Sequence, residues 1–324
     1  MLKKFFVKLG ICLLFMCFVL KFLFPLLAIA DEYPSKPIRI IVPMPPGGAY
    51  DLHARAFASV AHEYFGVPVI AVTKAGGGGA IGCNYVAQSN PDGYTLLLIG
   101  QEVITQPLLQ NLHFSPESFV AVGRINYSPQ LICVHNDSPW NTLKELVVYA
   151  REHPNKVSYG GVPGLQPAEL TMEPFRKKAG IQLKFVPFPG GGPAFMGFLS
   201  KNIDIVVAFP STVVDYMKQG KVRALAVGSR ERLSEFPQVP TMMEQGFDHY
   251  FEVFRALFAP KGISDSRLKK LRELFSQTVK DKSFVSILEK MGEKVLYMSG
   301  DDFDKLMIEE VGRIKNIAKD LLGK

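Results

Sequence analysis

The most informative segment of the chain reads Ile38-Arg39-Ile40-Ile41-Val42-Pro43-Met44-Pro45-Pro46-Gly47-Gly48-Ala49-Tyr50-Asp51-Leu52-His53-Ala54-Arg55. Its first five residues are nearly all apolar and β-branched, as in a parallel strand that is covered on both faces. Prolines end this strand, and Gly47 with Gly48 lets the backbone turn tightly. Asp51 is placed to cap the helix that follows. We therefore predict a strand, a tight turn and a helix, the unit from which α/β proteins are built.

The glycine turn before this helix is a candidate anion site. A turn of this kind directs several backbone N–H groups at one place, and the helix dipole favours negative charge there. Many such turns bind nothing, so a purely structural turn is the alternative. The glycines do not have the GxGxxG spacing, and no Gly-Lys-Ser/Thr sequence follows, so the segment does not indicate nucleotide binding.

The N-terminal segment resembles an export signal. A basic start is followed by an apolar stretch and by Ala28-Ile29-Ala30, a small-x-small cleavage site. We predict that residues 1–30 are a signal peptide, that cleavage occurs after Ala30, and that the protein is periplasmic. Because Lys21 interrupts the apolar stretch, a true membrane span is disfavoured. An uncleaved N-terminal membrane anchor is the alternative.

The net charge argues against one class of partner. The whole chain has 37 basic and 30 acidic residues, a formal charge of +7. Four of the basic residues and no acidic residue lie in 1–30, so 37 − 4 leaves 33 basic residues and a net charge of +3. This balance does not indicate nucleic-acid binding.

The cysteines do not indicate a disulfide framework or a metal site. Only Cys83 and Cys133 remain after residue 30, and both lie in segments that read as core. We therefore favour free thiols over a single bridge. Since no Cys/His cluster has zinc spacing, we expect neither a metal nor a cofactor.

Four loops that join a strand to a helix are rich in glycine: residues 43–51, 74–82, 160–167 and 187–194. In open α/β sheets, ligands bind at the carboxyl ends of the strands, where such loops lie. Two lobes that each offer two of these loops would form a cleft lined with backbone N–H donors. Such a cleft favours a small acidic ligand.

Several short motifs together resemble a known family. In chain order they are Tyr33-Pro34-Ser35-Lys36-Pro37-Ile38, Gly47-Gly48 with Asp51, Ala54-Arg55, residues 77–82, Pro91-Asp92-Gly93-Tyr94-Thr95-Leu96, Thr142-Leu143-Lys144-Glu145-Leu146, Gly220-Lys221-Val222-Arg223-Ala224-Leu225-Ala226, Val239-Pro240-Thr241 with Glu244 and Gly246, and Ala259-Pro260-Lys261-Gly262. No single motif is specific, but the ordered set covers essentially the whole chain after residue 30. It resembles the receptors of tripartite tricarboxylate transporters, the Bug-type extracytoplasmic solute-binding proteins.

The resemblance implies an α/β fold of the type II periplasmic-binding-protein kind, the two-lobed Venus flytrap. Each lobe is then a mainly parallel sheet flanked by helices. Lobe 1 is expected to comprise residues 31–130 and 250–324, and lobe 2 residues 131–249. The resemblance further implies a monomeric receptor that hands a small carboxylate to a membrane permease with one large and one small integral subunit. We expect the lobes to close on the ligand.

The resemblance also carries a set of site residues. In the family, loops matching residues 44–51, 160–166 and 187–191 line the cleft and hold a carboxylate through backbone amides and bridging waters. Together with the glycine turns, this gives the candidate ligand-binding residues Pro45, Gly47, Gly48, Ala49, Asp51, Gly161, Gly164, Gln166, Phe188, Gly190, Gly191 and Asp204.

The third and fourth glycine loops depart from the family pattern. Many relatives have Ser or Thr followed by His where this chain has Leu165-Gln166-Pro167. Relatives often have Pro-Tyr-Lys-Gly where this chain has Pro187-Phe188-Pro189-Gly190. The missing lysine and the presence of Phe188 favour a ligand with an apolar or aromatic body.

Several charged or polar residues have a structural alternative. For Asp51 we favour a helix cap paired with Arg55 over a ligand contact. Gln166 could donate its side-chain amide to a carboxylate. Asp204 could bind the amine of an amino acid or hold a loop amide, and we slightly favour the loop. Arg255 could bind a second carboxylate, although we favour a surface position.

An enzyme is the runner-up class, but the residues do not favour one. The chain has no Gly-x-Ser-x-Gly elbow, and we find no histidine with an acid partner and no metal motif. We therefore predict no catalytic residues. A sensory binding protein of the same fold, which docks on a signalling protein, is not separated from a transport receptor by sequence. The ligand also stays open among tricarboxylates, dicarboxylates, acidic amino acids and aromatic or nicotinate-like acids.

Overall fold

The computed structural model describes residues 33–322, and those from Lys36 onward form one compact unit. The predicted signal peptide, its cleavage after Ala30 and the alternative N-terminal anchor lie outside the described residues. Across residues 33–322, no helix combines the length and the apolar character needed to cross a membrane.

The strands form two separate sheets. They are β1 (Ile38–Val42), β2 (Val69–Thr73), β3 (Thr95–Ile99), β4 (Phe119–Pro129), β5 (Leu131–His135), β6 (Ser158–Gly161), β7 (Lys184–Pro187), β8 (Ile205–Ala208), β9 (Val222–Val227), β10 (Glu252–Pro260) and β11 (Met298–Ser299). The order is β11-β4-β10-β3-β1-β2 in the six-stranded sheet and β7-β6-β8-β5-β9 in the five-stranded sheet. The chain therefore leaves the first sheet at the end of β4 and returns to it with β10.

Helices pack against both sheets. They are α1 (Ala49–Phe65), α2 (Ala80–Ala87), α3 (Glu102–Leu109), α4 (Leu143–Glu152), α5 (Pro167–Ala179), α6 (Gly191–Leu199), α7 (Pro210–Lys218), α8 (Asp265–Lys280), α9 (Lys282–Lys290) and α10 (Gly300–Leu322), with short 3₁₀ turns at Gly77–Gly79 and Pro116–Ser118. We call the six-stranded sheet with α1–α3 and α8–α10 the first lobe, and the five-stranded sheet with α4–α7 the second lobe.

The α/β class is confirmed, but the sheets are mixed rather than mainly parallel. In the first lobe β1 is parallel to β2 and β3, whereas β10 is antiparallel to β3 and β4, and β11 is antiparallel to β4. In the second lobe β6 is parallel to β7 and β8, whereas β5 is antiparallel to β8 and β9. The long antiparallel pair β4–β10 arises because one strand leaves the first sheet and the other enters it. Sequence reasoning placed a crossing near residue 130 but missed β4 as a strand.

The complete burial of the middle strands explains why the apolar runs in the sequence are so continuous. Every residue of β3 and of β8 is buried. In β5, Ile132 and Val134 pack into one apolar cluster with Leu146 of α4, while Leu131 and Cys133 pack into a second cluster with α6 and α7. Since neighbouring side chains of a strand point to opposite faces, both faces of this sheet are covered by helices.

Side-chain helix caps and core-facing stripes of apolar residues are also present. The Thr142 hydroxyl accepts a hydrogen bond from the N–H of Glu145 at 3.1 Å, and the Ser299 hydroxyl accepts one from the N–H of Asp302 at 3.2 Å. Buried apolar residues follow the helical period in α8 and in α10: Leu271, Leu274, Phe275, Phe303, Met307 and Ile314. These faces build the core of the first lobe.

Candidate functional site

A cavity lies between the two lobes, at the ends of strands where the glycine loops begin. It encloses about 620 Å³ of non-protein space, including open solvent at its mouth. Six of the predicted site residues line it: Pro45, Gly48, Ala49, Gly161, Gln166 and Gly191. The remaining walls come from Met44, Tyr50, Glu102, Gln130, Gly160, Val162, Pro167, Ala168, Ala194, Val207, Ala208, Phe209 and Thr212.

The first turns of five helices contribute to this wall. Lining residues from these turns are Ala49 of α1, Glu102 of α3, Ala168 of α5, Gly191 of α6 and Thr212 of α7. The N–H groups of a first turn have no carbonyl partner within their own helix, and the dipoles make such ends positive. Where several of them meet at one cavity, the cavity favours an anion.

The turn before α1 is held by its own side chains. The N–H of Gly47 donates to Asp51 Oδ2 at 3.1 Å, and Arg55 Nε donates to both oxygens of Asp51 at 3.0 Å. Asp51 lies inside the first turn, because the helix already begins at Ala49. The predicted pair with Arg55 is therefore present, but Asp51 is not the N-cap: that position is Gly48, and Asp51 binds the turn from within the helix. Neither Asp51 nor Gly47 lines the cavity.

The loop before α5 is tied to both lobes. The carboxylate of Glu169 accepts hydrogen bonds from the N–H groups of Gly164 and Leu165, at 2.8 and 2.7 Å. The side-chain amide of Gln166 donates across the lobes to the carbonyl oxygen of Gly78 at 3.0 Å. Gln106 similarly donates to the carbonyl oxygen of Gly164 at 3.2 Å. Gly164 thus takes part in one hydrogen bond that holds its own loop and in one that joins the lobes. Gln166 joins the lobes and also lines the cavity.

The glycines before and within the first turn of α6 permit a close approach between lobes. A Cβ atom on Gly190 would lie 2.6 Å from Pro45 Cγ. A Cβ atom on Gly192 would lie 2.8 Å from the carbonyl oxygen of Pro46 and 3.2 Å from the nitrogen of Gly48. All three distances are shorter than an ordinary contact, so side chains there would push the two loops apart.

Phe188 and Asp204 have contacts away from the cavity. A Cβ on Gly160 or on Gly197 would strike the ring of Phe188, which is partly buried and packs against an apolar cluster of the second lobe. Asp204 Oδ2 accepts hydrogen bonds from the N–H and the hydroxyl of Ser158, at 2.8 and 2.6 Å. This is the loop-holding role that was favoured for Asp204.

Tyr50 and Glu102 form a buried pair in the cavity wall that sequence reasoning missed. The Tyr50 hydroxyl donates to Glu102, with Oη 2.8 Å from Oε2 and 3.0 Å from Oε1. Burial raises the pKa of Glu102 to about 7, although hydrogen bonds from its own backbone and from Tyr50 oppose the rise. The available signal was an acidic residue three positions after the largely apolar run that ends at Ile99, at the edge of the sheet where ligands bind.

The expected surface position of Arg255 is wrong. Its side chain is fully buried, and Nη1 donates to Glu293 Oε2 at 2.6 Å and to Asn126 Oδ1 at 3.4 Å. The guanidinium carbon stands 4.3 Å from the ring centre of Phe209 and 5.8 Å from that of Tyr50. Arg255 therefore sits behind two aromatic rings of the cavity wall, because β10 runs through the middle of the first sheet.

Glu293 gathers groups from both lobes. His53 Nε2 lies 3.1 Å from Glu293 Oε2, and the N–H of Ser211 in α7 donates to Oε1 at 3.4 Å. Burial alone would raise the pKa of Glu293, but the charges of Arg255 and His53 outweigh it and hold that pKa well below its usual range. The expectation that no histidine has an acid partner is thus wrong for His53. The pair is fully buried and does not line the cavity.

The two cysteines beyond residue 30 are buried thiols. Cys83 and Cys133 are free and buried, and burial raises the pKa of each thiol. Among the described residues, no group of three or more His, Cys, Asp or Glu side chains could hold a metal ion. Among the described residues that line the cavity, Glu102 is the charged one, and none is Lys, Arg or His.

Comparison with known proteins gives a consistent family. A family model described as "Tripartite tricarboxylate transporter family receptor" matches residues 53–322. The chain is 30% identical over 299 residues to the "UPF0065 protein in gbd 5'region" of Cupriavidus necator, covering 92% of this chain and 91% of that protein. It is 29% identical over 300 residues to the protein BugT of Bordetella pertussis, covering 90% and 91%. The structure of the periplasmic binding protein BugD is similar, with a TM-score of 0.83 and 28% identity over 89% of this chain and 98% of that one.

Proposed function

The chain belongs to the receptor family of tripartite tricarboxylate transporters, and on that premise we propose that it captures a small carboxylate in the cavity between its lobes and delivers it to a tripartite permease. The observation that carries this proposal is the meeting of five helix first turns at one cavity. Family membership makes the protein a solute-binding receptor. The positive helix ends are the feature that favours a carboxylate among solutes.

Backbone groups, rather than cationic side chains, would hold the carboxylate. In the described wall of the cavity no Lys, Arg or His is present, so the donors are N–H groups such as those of Ala49 and Gly191. The rest of the surface in contact with the ligand would come from Pro45, Gly48, Gly161 and Gln166. The apolar wall, which includes Met44, Val207 and Phe209, suits a ligand with an apolar or aromatic body.

Two lobes that close on the ligand would give the site its shape. We assign residues 31–130 and 250–324 to lobe 1 and residues 131–249 to lobe 2. The two sheets support this division. The chain passes from the six-stranded sheet to the five-stranded sheet between Pro129 and Leu131, and it returns to the six-stranded sheet with β10. The predicted site residues that do not line the cavity would then shape the loops and the contacts between them: Gly47, Asp51, Gly164, Gly190, Phe188 and Asp204. Closure is a common response to binding in proteins of this architecture.

Receptors of this family are extracytoplasmic. We propose that residues 1–30 direct export, that cleavage follows Ala30, and that the mature protein is a periplasmic monomer without enzymatic activity. Its partner would be a permease with one large and one small integral subunit. N-terminal sequencing of the exported protein should begin at Asp31. A first residue of Met1 would instead support the membrane anchor.

A ligand screen tests the central proposal. The protein purified from the periplasm is unfolded and refolded to remove carried-over ligand, and its melting temperature is measured with mono-, di- and tricarboxylates and with neutral sugars. An acid at about 100 times its dissociation constant should stabilise the fold by roughly 2.7 kcal/mol and raise the melting temperature by a few degrees. A flat response to every acid would contradict the proposal.

A matched pair of variants ties the response to the cavity. Ala194→Phe fills the cavity from α6, because Ala194 is buried and lines it. Met196→Phe adds a ring on the same helix, where the side chain is 59% exposed. The shift caused by an acid should disappear in the first variant and persist in the second. Uptake of the same acid into vesicles that contain the permease should require the receptor.

A further inference from the structure

We infer that the cavity selects an acid whose other end carries a hydrogen-bond donor, a hydroxyl or an amine, over an acid with a carboxylate at both ends. The inference rests on the proposed function and names the class of acid. It starts from the Tyr50–Glu102 pair, whose two side chains both line the cavity. Glu102 is fully buried and Tyr50 is 5% exposed, so both belong to a built wall rather than to a solvated surface.

Glu102 keeps capacity to accept hydrogen bonds. A carboxylate has about four acceptor sites. The hydroxyl of Tyr50 carries a single proton and so fills one of them, at 2.8 Å from Oε2. The backbone N–H groups of Glu102 and of Gly100 supply further donors. A donor on the ligand would find an acceptor here, and an ammonium would also find an opposite charge.

At pH 8, where Glu102 is ionised, a second carboxylate in the same place would meet repulsion. Two like charges at short distance in a poorly solvated site disfavour each other strongly. Arg255, the buried cation whose charge acts on Glu102, binds Glu293 through Nη1 at 2.6 Å, stands 4.3 Å from the ring centre of Phe209 and does not line the cavity. Lys, Arg and His are absent from the wall as described, so no side chain there would offset the repulsion.

The side-chain amides of the wall, those of Gln130 and Gln166, are engaged with protein groups. Gln130 accepts from the hydroxyl of Thr171 at 3.0 Å and donates to the carbonyl oxygen of Val207 at 3.4 Å. Gln166 donates to Gly78 at 3.0 Å. The first turn of α3 is served by the carboxylate of Glu102 itself, and in α7 the N–H groups of Ser211 and Thr212 donate to Glu293 and to the carbonyl oxygen of Phe209. The first turns of α1, α5 and α6 are left to hold the ligand's carboxylate. One end of the cavity thus favours the carboxylate of the ligand, and the other end, at Glu102, favours a hydrogen-bond donor of the ligand.

Two series of acids test the inference. The first is succinate, 4-hydroxybutyrate and 4-aminobutyrate, which differ only in the terminal group. The second places a carboxylate, a hydroxyl or an aminomethyl group opposite the carboxylate of benzoate. Dissociation constants are measured by calorimetry at pH 8 on the refolded exported protein. In at least one series, the hydroxyl and amine members should bind about tenfold more tightly than the diacid.

Glu102→Gln separates the charge from the shape. The amide oxygen can still accept from Tyr50, while the negative charge is gone. The amine member should lose about tenfold in affinity, the diacid should gain, and the hydroxyl member should change by less than about threefold. Glu63→Gln, an identical change at an exposed position of α1, is the control and should leave all constants unaltered.

The binding results distinguish failure of the inference from failure of the proposed function. If the diacids bind best in the wild type, the inference is overturned, and Arg255 becomes the group to examine. If the acids bind but Glu102→Gln leaves their order unchanged, Glu102 only supports Tyr50 and the inference fails alone. If neither series binds while another acid does, no terminal donor is needed and the inference fails. If no acid of any kind binds, the proposed function fails with it.

Discussion

The side-chain amide of Gln166 donates to the carbonyl oxygen of Gly78 at 3.0 Å, and this bond joins the second lobe to the first. Gln106 makes the reciprocal connection, from the first lobe to the carbonyl oxygen of Gly164 at 3.2 Å. Both bonds lie beside the cavity, because Gln166 also lines it. We therefore expect the two amides to act as a latch between the lobes that opens when the ligand is released.

Gln166→Ala should weaken the latch without unfolding the protein. One hydrogen bond contributes about 0.5–1.5 kcal/mol net, so the affinity for a bound acid should fall about three- to tenfold, mostly through faster release. Stopped-flow displacement of the bound acid measures that rate. Gln277→Ala, an exposed position on α8, is the control and should leave release unchanged. An unaltered release rate in Gln166→Ala would show that the latch does not govern opening.

Gly192→Ala should hold the lobes apart. The added Cβ would lie 2.8 Å from the carbonyl oxygen of Pro46, a backbone atom that cannot turn away. We expect affinity for the acid to fall about tenfold or more and the radius of gyration in solution scattering to stay at its ligand-free value. Fold stability should hold, since alanine is the better helix former by about 1 kcal/mol.

Gly312→Ala supplies the comparison for that variant. Gly312 lies in α10, and a Cβ there meets nothing within 4 Å. It should keep wild-type affinity and gain slightly in stability. Equal affinity in Gly192→Ala would mean that the contact between the loops adjusts, and that these glycines do not set the closed geometry.

Breaking the buried pair of Arg255 and Glu293 should destabilise the fold. Arg255→Met leaves a buried charge on Glu293, and the expected loss in free energy of unfolding is about 3–5 kcal/mol. Arg232→Met removes one side of the exposed pair with Glu244 and should cost less than about 1 kcal/mol. Urea unfolding measures both. A second variant, Arg255→Met with Glu293→Gln, should recover part of the loss.

Glu293 also sets the response to acid. Its pKa is lowered in the folded protein by Arg255 and His53 against the effect of burial, so its charged form is favoured by folding. The stabilisation is present above the unfolded pKa, about 4.3, and is lost as the pH falls through and below that value. The unfolding free energy of the wild type should therefore drop below about pH 5. In Glu293→Gln this part of the acid dependence should be missing.

Glu102 should act in the opposite direction. Burial raises its pKa from 4.5 to about 7 in the folded protein, with Tyr50 of α1, Arg255 of β10 and Cys83 of α2 as its titratable or charged neighbours. Folding therefore favours the protonated form, and stability falls as the pH rises from about 4.5 through 7. The loss is on the order of 3 kcal/mol. Glu102→Gln should remove this dependence, which urea unfolding at pH 5 and pH 8 would reveal.

Local features of the fold follow directly from the order of residues. The apolar run at Ile38–Val42, the glycine turn and Asp51 predict a strand, a turn and a helix, and all three are present. The caps at Thr142 and Ser299 are equally local. Such features can be recognised in a sequence because backbone preferences, side-chain periodicity and capping bonds act over a few residues.

The candidate site was predicted only in part, for a reason that Gly192 and Gly191 illustrate. A glycine-rich loop indicates a close approach but does not say to what. Gly191 lines the cavity, whereas its neighbour Gly192 lies against the backbone of Pro46 in the other lobe. Only the packing of one lobe on the other distinguishes these two roles.

The order of residues thus determined the α/β class, the loops that surround the cavity and the family. The tertiary structure decided where charges stand. Arg255 reads as a surface residue because the sequence does not show that β10 runs between β3 and β4, and Glu102 meets Tyr50 across 52 residues of chain. The free energy of a buried charge depends on partners and solvent exposure, and both are set by contacts between distant segments.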